Sequence, residues 1–154
     1  MRYVRRLVLS GACNVRDLGG YPCTNGISAW HKCYRSDMLN KLTEEDWMQL
    51  RNADIRLILD LRSVTEQRTA AYDSEAYGIT RVALPFMKEE VPLAETLDQE
   101  AQKRFLDSMK LDYVEMISAV PDAVCQALRL ILKTLRDGHA VLFHCTAGKD
   151  RTGI

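Results

Sequence analysis

The sequence has no excess of charge of either sign. Its 154 residues include 21 Lys and Arg and 21 Asp and Glu, so the formal net charge is zero at pH 7. A broadly basic surface is what draws proteins to nucleic acid or acidic membranes, and this balance argues against both. No stretch approaches the ~18 apolar residues of a membrane span. The apolar run at residues 7–9 is shorter than the core of ~7 to 15 residues in a signal peptide.

Patterns typical of metal binding are also lacking. The five cysteines form an odd set without a C-x-x-C pair, and neither His31 nor His139 has a companion at ligand spacing. We therefore expect neither a metal nor another cofactor. The same cysteine pattern is typical of a reducing compartment, so the expected location is the cytoplasm. A length of 154 residues with 47% hydrophobic content predicts a single domain, residues 1–154.

The most informative segment is residues 144–152, near the end of the sequence. A turn leads into an apolar strand at residues 140–143, which delivers His144 and Cys145. If the chain then curls into a tight loop that opens a helix, its backbone N–H groups form a nest for an anion. The same field favours the thiolate form of a cysteine. The segment therefore predicts an anion site built around a cysteine nucleophile.

The other residues of this loop suit a phosphate group. Arg151, six positions after Cys145, can offer its planar fork to two phosphate oxygens. Gly148 permits a sharp backbone path, and Thr152 can donate its hydroxyl to the cysteine sulfur. We expect His144 to orient the loop from behind by hydrogen bonds. Further substrate contacts are expected from the remaining loop positions, Thr146, Ala147, Lys149 and Asp150.

The loop resembles that of the cysteine-dependent phosphatases, and residues 148–153 are similar to the loop ending of bacterial atypical tyrosine phosphatases. Residues 14–20, 34–37 and 59–63 resemble three further signatures of that family, in the same order. The resemblance implies a cysteinyl-phosphate mechanism with Cys145 as nucleophile, Arg151 as phosphate clamp and an aspartate as general acid. It implies phosphorylated protein substrates, mainly phosphotyrosine, with phosphoserine, phosphothreonine or phosphoinositides in some members. A free phosphate or sulfate ion would occupy the same loop.

The identity of the general acid is open between two aspartates. Asp60 ends an apolar strand, and the carboxyl end of such a strand is where ligands bind in open α/β sheets. Geometry and the resemblance both favour it. Asp150 is the alternative, because it lies in the loop itself, although its charge opposes the anion unless Lys149 or Arg16 offsets it. Arg16 and Arg35 are candidates for supporting contacts to the site, with structural ion pairs as the other interpretation.

The predicted elements around these motifs alternate between helix and strand. We expect a hairpin over residues 19–35, a helix starting at Thr43, a capping box at Ser63 and a strand over residues 79–86. The clearest helix covers residues 121–136, with an apolar side formed by Val124, Leu128, Ile131 and Leu135. The pattern predicts an α/β fold in three layers, a central, mostly parallel sheet flanked by helices. Residues 88–118 are expected to form surface helices or a lid over the site.

Other functional interpretations stay open. A rhodanese-like sulfur carrier also places a cysteine at a strand end, although Arg151 and Thr152 favour phosphate chemistry. A non-catalytic phosphate-binding module is the more serious alternative. The sequence stops at Ile154, so the helix that holds Arg151 and further C-terminal helices are expected to be missing from a fragment. Because catalysis falls steeply when groups are misplaced by ~1 Å, such a fragment is expected to be inactive.

Overall fold

The structure is a computed structural model that describes residues 4–86, 100 and 113–153. The strands of these residues are β1 (Arg16–Asp17), β2 (Pro22–Cys23), β3 (Gly26–Ile27), β4 (Cys33–Ser36), β5 (Ile55–Asp60), β6 (Thr80–Ala83) and β7 (Ala140–His144). Five of them form a mixed sheet in the order β1-β4-β7-β5-β6. The pairs β4–β7, β7–β5 and β5–β6 are parallel, and only β1 runs antiparallel to its neighbour. The predicted α/β fold with a mostly parallel central sheet is confirmed.

The described helices are α1 (Glu44–Asn52), α2 (Val64–Thr69), α3 (Tyr113–Ala119) and α4 (Pro121–Arg136), with a 3-10 turn at Glu75–Tyr77. The predicted starts of α1 and α2 are confirmed. Thr43 and Asp46 form a capping box on α1, and Ser63 and Glu66 form one on α2. No helix in the described ranges has the length and apolar character needed to cross a bilayer.

The two faces of the sheet carry separate hydrophobic clusters. Alternate residues of β7 point to opposite faces, as the pleat of a strand requires. Ala140 and Leu142 pack in the cluster that contains Trp47 and Leu50 of α1. Val141 lies in the second cluster, which includes side chains of α4. Helices on both faces of the sheet give the three predicted layers. Each fully buried aliphatic side chain stabilises the folded protein by about 1.5–3 kcal/mol.

Some predicted details were wrong. Leu128 does not face the sheet: its side chain is 61% exposed, while Ala127 is buried in its place. The predicted returning strand of the hairpin at residues 30–34 instead lies at β4, where it pairs with β1 and β7. The hairpin itself is formed by β2 and β3. The predicted lid at residues 88–118 lies largely outside the described residues, which include only residue 100 and the α3 part of it.

Candidate active site

Three parallel strands end side by side at one edge of the sheet. Ser36 at the end of β4 is in register with His144 at the end of β7, and His144 is in register with Asp60 at the end of β5. The chain after β7 therefore emerges between two strand ends, at the place where α/β sheets bind ligands. This puts the predicted loop, residues 145–152, at the centre of that edge.

The loop closes around the sulfur of Cys145. The Cys145 side chain is buried, with 2% of the residue exposed, and the Gly148 N–H donates to its Sγ at 3.2 Å. The carbonyl groups of the loop are engaged from outside. Asn14 Nδ2 donates to the Ala147 oxygen at 3.0 Å, and the Met38 N–H donates to the Thr146 oxygen at 3.1 Å. Because its carbonyls are engaged from outside, the loop can turn N–H groups toward the sulfur and a bound anion.

Gly148 is required by this path for two reasons. Its φ is 66°, a left-handed conformation that glycine adopts without steric cost. A Cβ at this position would also overlap the backbone carbonyl of Ser36. The close approach of the loop to the end of β4 thus depends on the absence of a side chain.

The two candidate supporting arginines are placed differently. Arg16 Nε donates to Asn14 Oδ1 at 2.9 Å, so Arg16 acts on the loop through Asn14. Arg35 lies on β4 in register with Phe143. Its Nε is buried and has no hydrogen-bond partner within the described ranges. Among the described residues, hydrogen bonds link Arg16 to the loop through Asn14, and they provide no such link for Arg35.

Arg151 is held by a residue that the sequence analysis missed. Its Nη1 donates to Glu66 Oε2 at 2.7 Å and its Nη2 donates to Glu66 Oε1 at 2.9 Å. Nη2 also lies 3.3 Å from Thr146 Oγ1, and that hydroxyl donates to Glu66 Oε1. A guanidinium has five N–H donors, so these contacts leave the Nε–H and one N–H on Nη1 for a ligand. Glu66 fixes the arginine while part of its fork stays available.

The charge of Glu66 is secured by the same contacts. Burial alone would raise its pKa, but hydrogen bonds from Arg151, Thr146 and the Ser63 N–H outweigh burial and lower the pKa to about 2. The carboxylate is therefore ionised at every pH at which the protein is expected to work. One sequence signal could have led to Glu66: the capping box places it in the first turn of α2, directly after β5.

His144 is fully buried at the end of β7, directly before Cys145. Its Nδ1 is 3.0 Å from the Cys145 carbonyl, which can only accept, so Nδ1 carries the proton. Its Nε2 lies 2.7 Å from Tyr72 Oη and accepts from that hydroxyl. Burial lowers the pKa of His144 to about 4, with partial opposition from Asp60 and the Cys145 carbonyl. The neutral imidazole ring thus connects Tyr72 to the start of the loop by hydrogen bonds on its two nitrogens.

Asp60 is buried without exposed surface, and both of its carboxylate oxygens are engaged. Arg62 donates from Nε to Oδ1 at 2.9 Å and from Nη2 to Oδ2 at 2.8 Å. Arg81 Nη2 donates to Oδ2 at 2.8 Å. Burial would raise the pKa of Asp60, but Arg62 and the neighbouring His144 lower it overall. A carboxylate held ionised by two arginines is poorly suited to deliver a proton, so these contacts argue against Asp60 as the general acid.

Asp150 has different surroundings. Its side chain is 27% exposed, and its Oδ1 lies 3.6 Å from Lys149 Nζ, whose side chain is 73% exposed.

Thr152 is buried, and its hydroxyl has no hydrogen-bond partner among the described residues. That hydroxyl is therefore available to a thiolate or a ligand. The described ranges contain no group of three or more His, Cys, Asp or Glu side chains arranged to hold a metal ion.

Fold and site together define an α/β protein in which a loop closes around a cysteine at the carboxyl ends of parallel strands. The chain belongs to the tyrosine phosphatase family, whose sequence profile matches residues 7–154. A protein of Nostoc commune named tyrosine-protein phosphatase is 34% identical over 124 residues, which cover 78% of this chain and 39% of that protein. A Cupriavidus necator protein that carries a tyrosine-protein phosphatase name is 28% identical over 144 residues, 92% of this chain and 51% of that protein. The chain thus spans about half or less of the length of these relatives.

The chain is also similar to solved structures at low sequence identity. TpbA of Pseudomonas aeruginosa superimposes with a TM-score of 0.42 and 16% sequence identity, over 82% of this chain and 56% of that one. A TpbA variant in complex with phosphotyrosine gives a TM-score of 0.41. The assignment to the family rests on the sequence matches.

Proposed function

We propose that this chain hydrolyses phosphomonoesters, with phosphotyrosine as the main substrate, through a cysteinyl-phosphate intermediate. The observation that carries the proposal is the loop itself. Cys145 Sγ accepts a hydrogen bond from the Gly148 N–H at 3.2 Å. Arg151, six residues after Cys145 in the same loop, is held by Glu66 of α2. Membership of the tyrosine phosphatase family and the names of the relatives support the substrate class.

The proposed reaction has two steps. The Cys145 thiolate attacks phosphorus, the phosphorus–oxygen bond to the leaving group breaks, and that oxygen takes a proton from the general acid. Water then attacks phosphorus, the phosphorus–sulfur bond breaks, and the same residue accepts the proton from water. Arg151 and the loop N–H groups stabilise the charge on the transferred oxygens in both steps. The Thr152 hydroxyl stabilises the sulfur as it leaves.

We propose Asp150 as the general acid in place of Asp60. Asp150 lies in the loop, one residue before Arg151, and its carboxyl group is partly open to solvent. Asp60 has both oxygens bound by arginines and no exposed surface. We assign Asp60 the role of a buried anion that anchors Arg62 and Arg81 near His144.

The exposed Lys149 leaves room for a second class of substrate. Its ammonium group can contact a further phosphate, as an inositol phosphate would supply, while Cys145 reacts with the first. A substrate panel of phosphotyrosine peptide, phosphoserine peptide and inositol phosphates would rank these classes. We expect the phosphotyrosine peptide to have the highest kcat/KM, and Lys149→Ala to lower kcat/KM for inositol phosphates selectively.

The cellular setting is also a proposal. Cys13, Cys23, Cys33, Cys125 and Cys145 are all free thiols, which supports a reducing cytoplasm. We take residues 1–154 as part of one phosphatase-like domain, because one sheet runs through the described ranges and carries the whole loop.

The nucleophile is tested by replacing Cys145 with serine. We expect Cys145→Ser to abolish hydrolysis of p-nitrophenyl phosphate while phosphate binding is kept, because the loop N–H groups and Arg151 remain. Cys125→Ser is the matched control, since Cys125 is an exposed thiol on α4. Turnover retained by the Cys145 variant would refute the mechanism. Phosphate binding by a wild-type protein without turnover would indicate a non-catalytic module.

A further inference from the structure

The first residue of α3 contacts the loop. Tyr113 Oη donates a hydrogen bond to Asp150 Oδ1 at 3.0 Å. The same oxygen lies 3.6 Å from Lys149 Nζ. Tyr113 is 49% exposed, whereas Met116, one turn further along α3, is buried. The buried methionine anchors the helix, and the phenol reaches from its exposed end to the loop.

This contact makes the two oxygens of Asp150 inequivalent. Oδ1 accepts from the phenol and faces the ammonium group, while Oδ2 has no hydrogen-bond partner among the described residues. A hydroxyl that donates to Oδ1 favours the proton on the other oxygen, because the carbonyl oxygen of a carboxylic acid is a better acceptor than its hydroxyl oxygen. When Asp150 is a carboxylic acid, its proton therefore lies on Oδ2. The hydrogen bond and charge of Asp150 also raise the pKa of Tyr113, so the phenol stays a donor at neutral pH.

We propose that Tyr113 is a positioning residue for proton transfer, which holds Asp150 so that Oδ2 presents its proton to the leaving oxygen of the substrate. The inference rests on the proposed role of Asp150. It deepens that role by assigning α3 a part in the chemistry of the site. Tyr113 acts on the reaction only through its hydrogen bond to Asp150.

The test compares leaving groups. Tyr113→Phe keeps the ring and removes the hydroxyl. Protonation matters most when the leaving group is a poor one. We expect kcat/KM for phenyl phosphate to fall by about 2- to 10-fold, the effect of losing one hydrogen bond. For p-nitrophenyl phosphate, a good leaving group, kcat/KM should stay within about 2-fold, and the inhibition constant of inorganic phosphate should not change.

Tyr21→Phe is the matched control, because Tyr21 is also 50% exposed and lies near β2, on another part of the fold. A double mutant separates positioning from general damage. In an Asp150→Asn background, Tyr113→Phe should cause no further loss with phenyl phosphate, since the acid that it positions is already gone. Additive losses, or equal losses with both leaving groups, would overturn the proposal.

The result also separates this inference from the proposed function. If Cys145→Ser keeps its turnover, the cysteinyl-phosphate mechanism fails and the positioning role fails with it. If Cys145→Ser is inactive but Tyr113→Phe shows no dependence on the leaving group, only the role of Tyr113 is refuted.

Discussion

Replacing Glu66 with glutamine should disable the proposed phosphate clamp, Arg151, and leave the proposed nucleophile, Cys145, in place. In the structure Glu66 receives hydrogen bonds from both terminal nitrogens of Arg151, at 2.7 and 2.9 Å. The Glu66→Gln side chain has nearly the same size, but it carries no charge and turns one N–H donor group toward the arginine. Arg151 then loses the ion pair and one of its two hydrogen bonds to residue 66, and it regains rotational freedom.

The magnitude follows from these contacts. A hydrogen bond between charged groups contributes about 1.5–3 kcal/mol. Exposure reduces this value, because the side chains of Arg151 and Glu66 are 12% and 30% exposed and solvent screens the pair. Restoring the freedom of a long side chain costs up to about 2 kcal/mol when a ligand must order it again. We expect a net loss of about 2 kcal/mol in transition-state stabilisation, which lowers kcat/KM by about 30-fold.

The assay is hydrolysis of p-nitrophenyl phosphate, together with inhibition by inorganic phosphate. In the proposed mechanism Arg151 contacts the phosphoryl group in the ground state and in the transition state, so phosphate affinity should weaken along with kcat/KM. A kcat/KM within about 3-fold of the wild type, with unchanged phosphate affinity, would refute the idea that Glu66 positions Arg151.

Two controls separate the clamp from the helix cap. Ser63→Ala removes the capping hydroxyl of α2 and keeps the Glu66–Arg151 pair. It should lower the free energy of unfolding by about 1 kcal/mol with little effect on kcat/KM. Glu45→Gln removes an exposed carboxylate from α1 and should leave kcat/KM unchanged.

Three further predictions concern the scaffold of the site. Gly148→Ala should lower the free energy of unfolding by about 1–3 kcal/mol more than Gly138→Ala, because φ is positive at both positions (66° and 91°) but only the first Cβ overlaps a neighbour. Equal losses in urea titrations would contradict this. Asp60→Asn should lower the free energy of unfolding by about 3–5 kcal/mol, because it leaves the buried Arg62 and the partly exposed Arg81 without a carboxylate partner. Its kcat/KM should fall equally for phenyl phosphate and p-nitrophenyl phosphate. A selective loss with phenyl phosphate would indicate that Asp60 is the general acid. Stability should fall between pH 6.5 and about 4, because the lowered pKa of His144 makes the unfolded chain bind the proton first. The loss should approach about 3 kcal/mol in urea titrations at several pH values, and constant stability across this window would exclude a buried neutral His144.

Most of the fold could be predicted because its signals are local. Three features depend only on residues close together in the sequence: the apolar strand before Cys145, the capping box at Ser63 and the start of α1. The exposed Leu128 shows the limit of such signals. Apolar periodicity places Leu128 on the same side of α4 as Val124, but the sheet meets the helix at Ala127, where a small side chain allows close approach.

The surroundings of Asp60 could not be predicted for a related reason. Sequence position puts Asp60 at the correct end of a strand, and that placement agrees with the structure. It does not reveal that Arg81, 21 residues away, closes on the carboxylate together with Arg62. Burial and those two arginines, rather than the position on the strand, determine the surroundings of the carboxylate.

By itself the sequence determined the elements of the site: a strand, then a cysteine, then an arginine six residues later, with glycine where the loop must bend. These are properties of one short segment, and local backbone geometry dictates them. Only the tertiary structure decided what holds the segment. Glu66 reaches Arg151 across 85 positions of sequence and Asn14 reaches Ala147 across 133. Such contacts exist because neighbouring parallel strands bring their ends together. No local sequence pattern predicts which distant residues come into contact there.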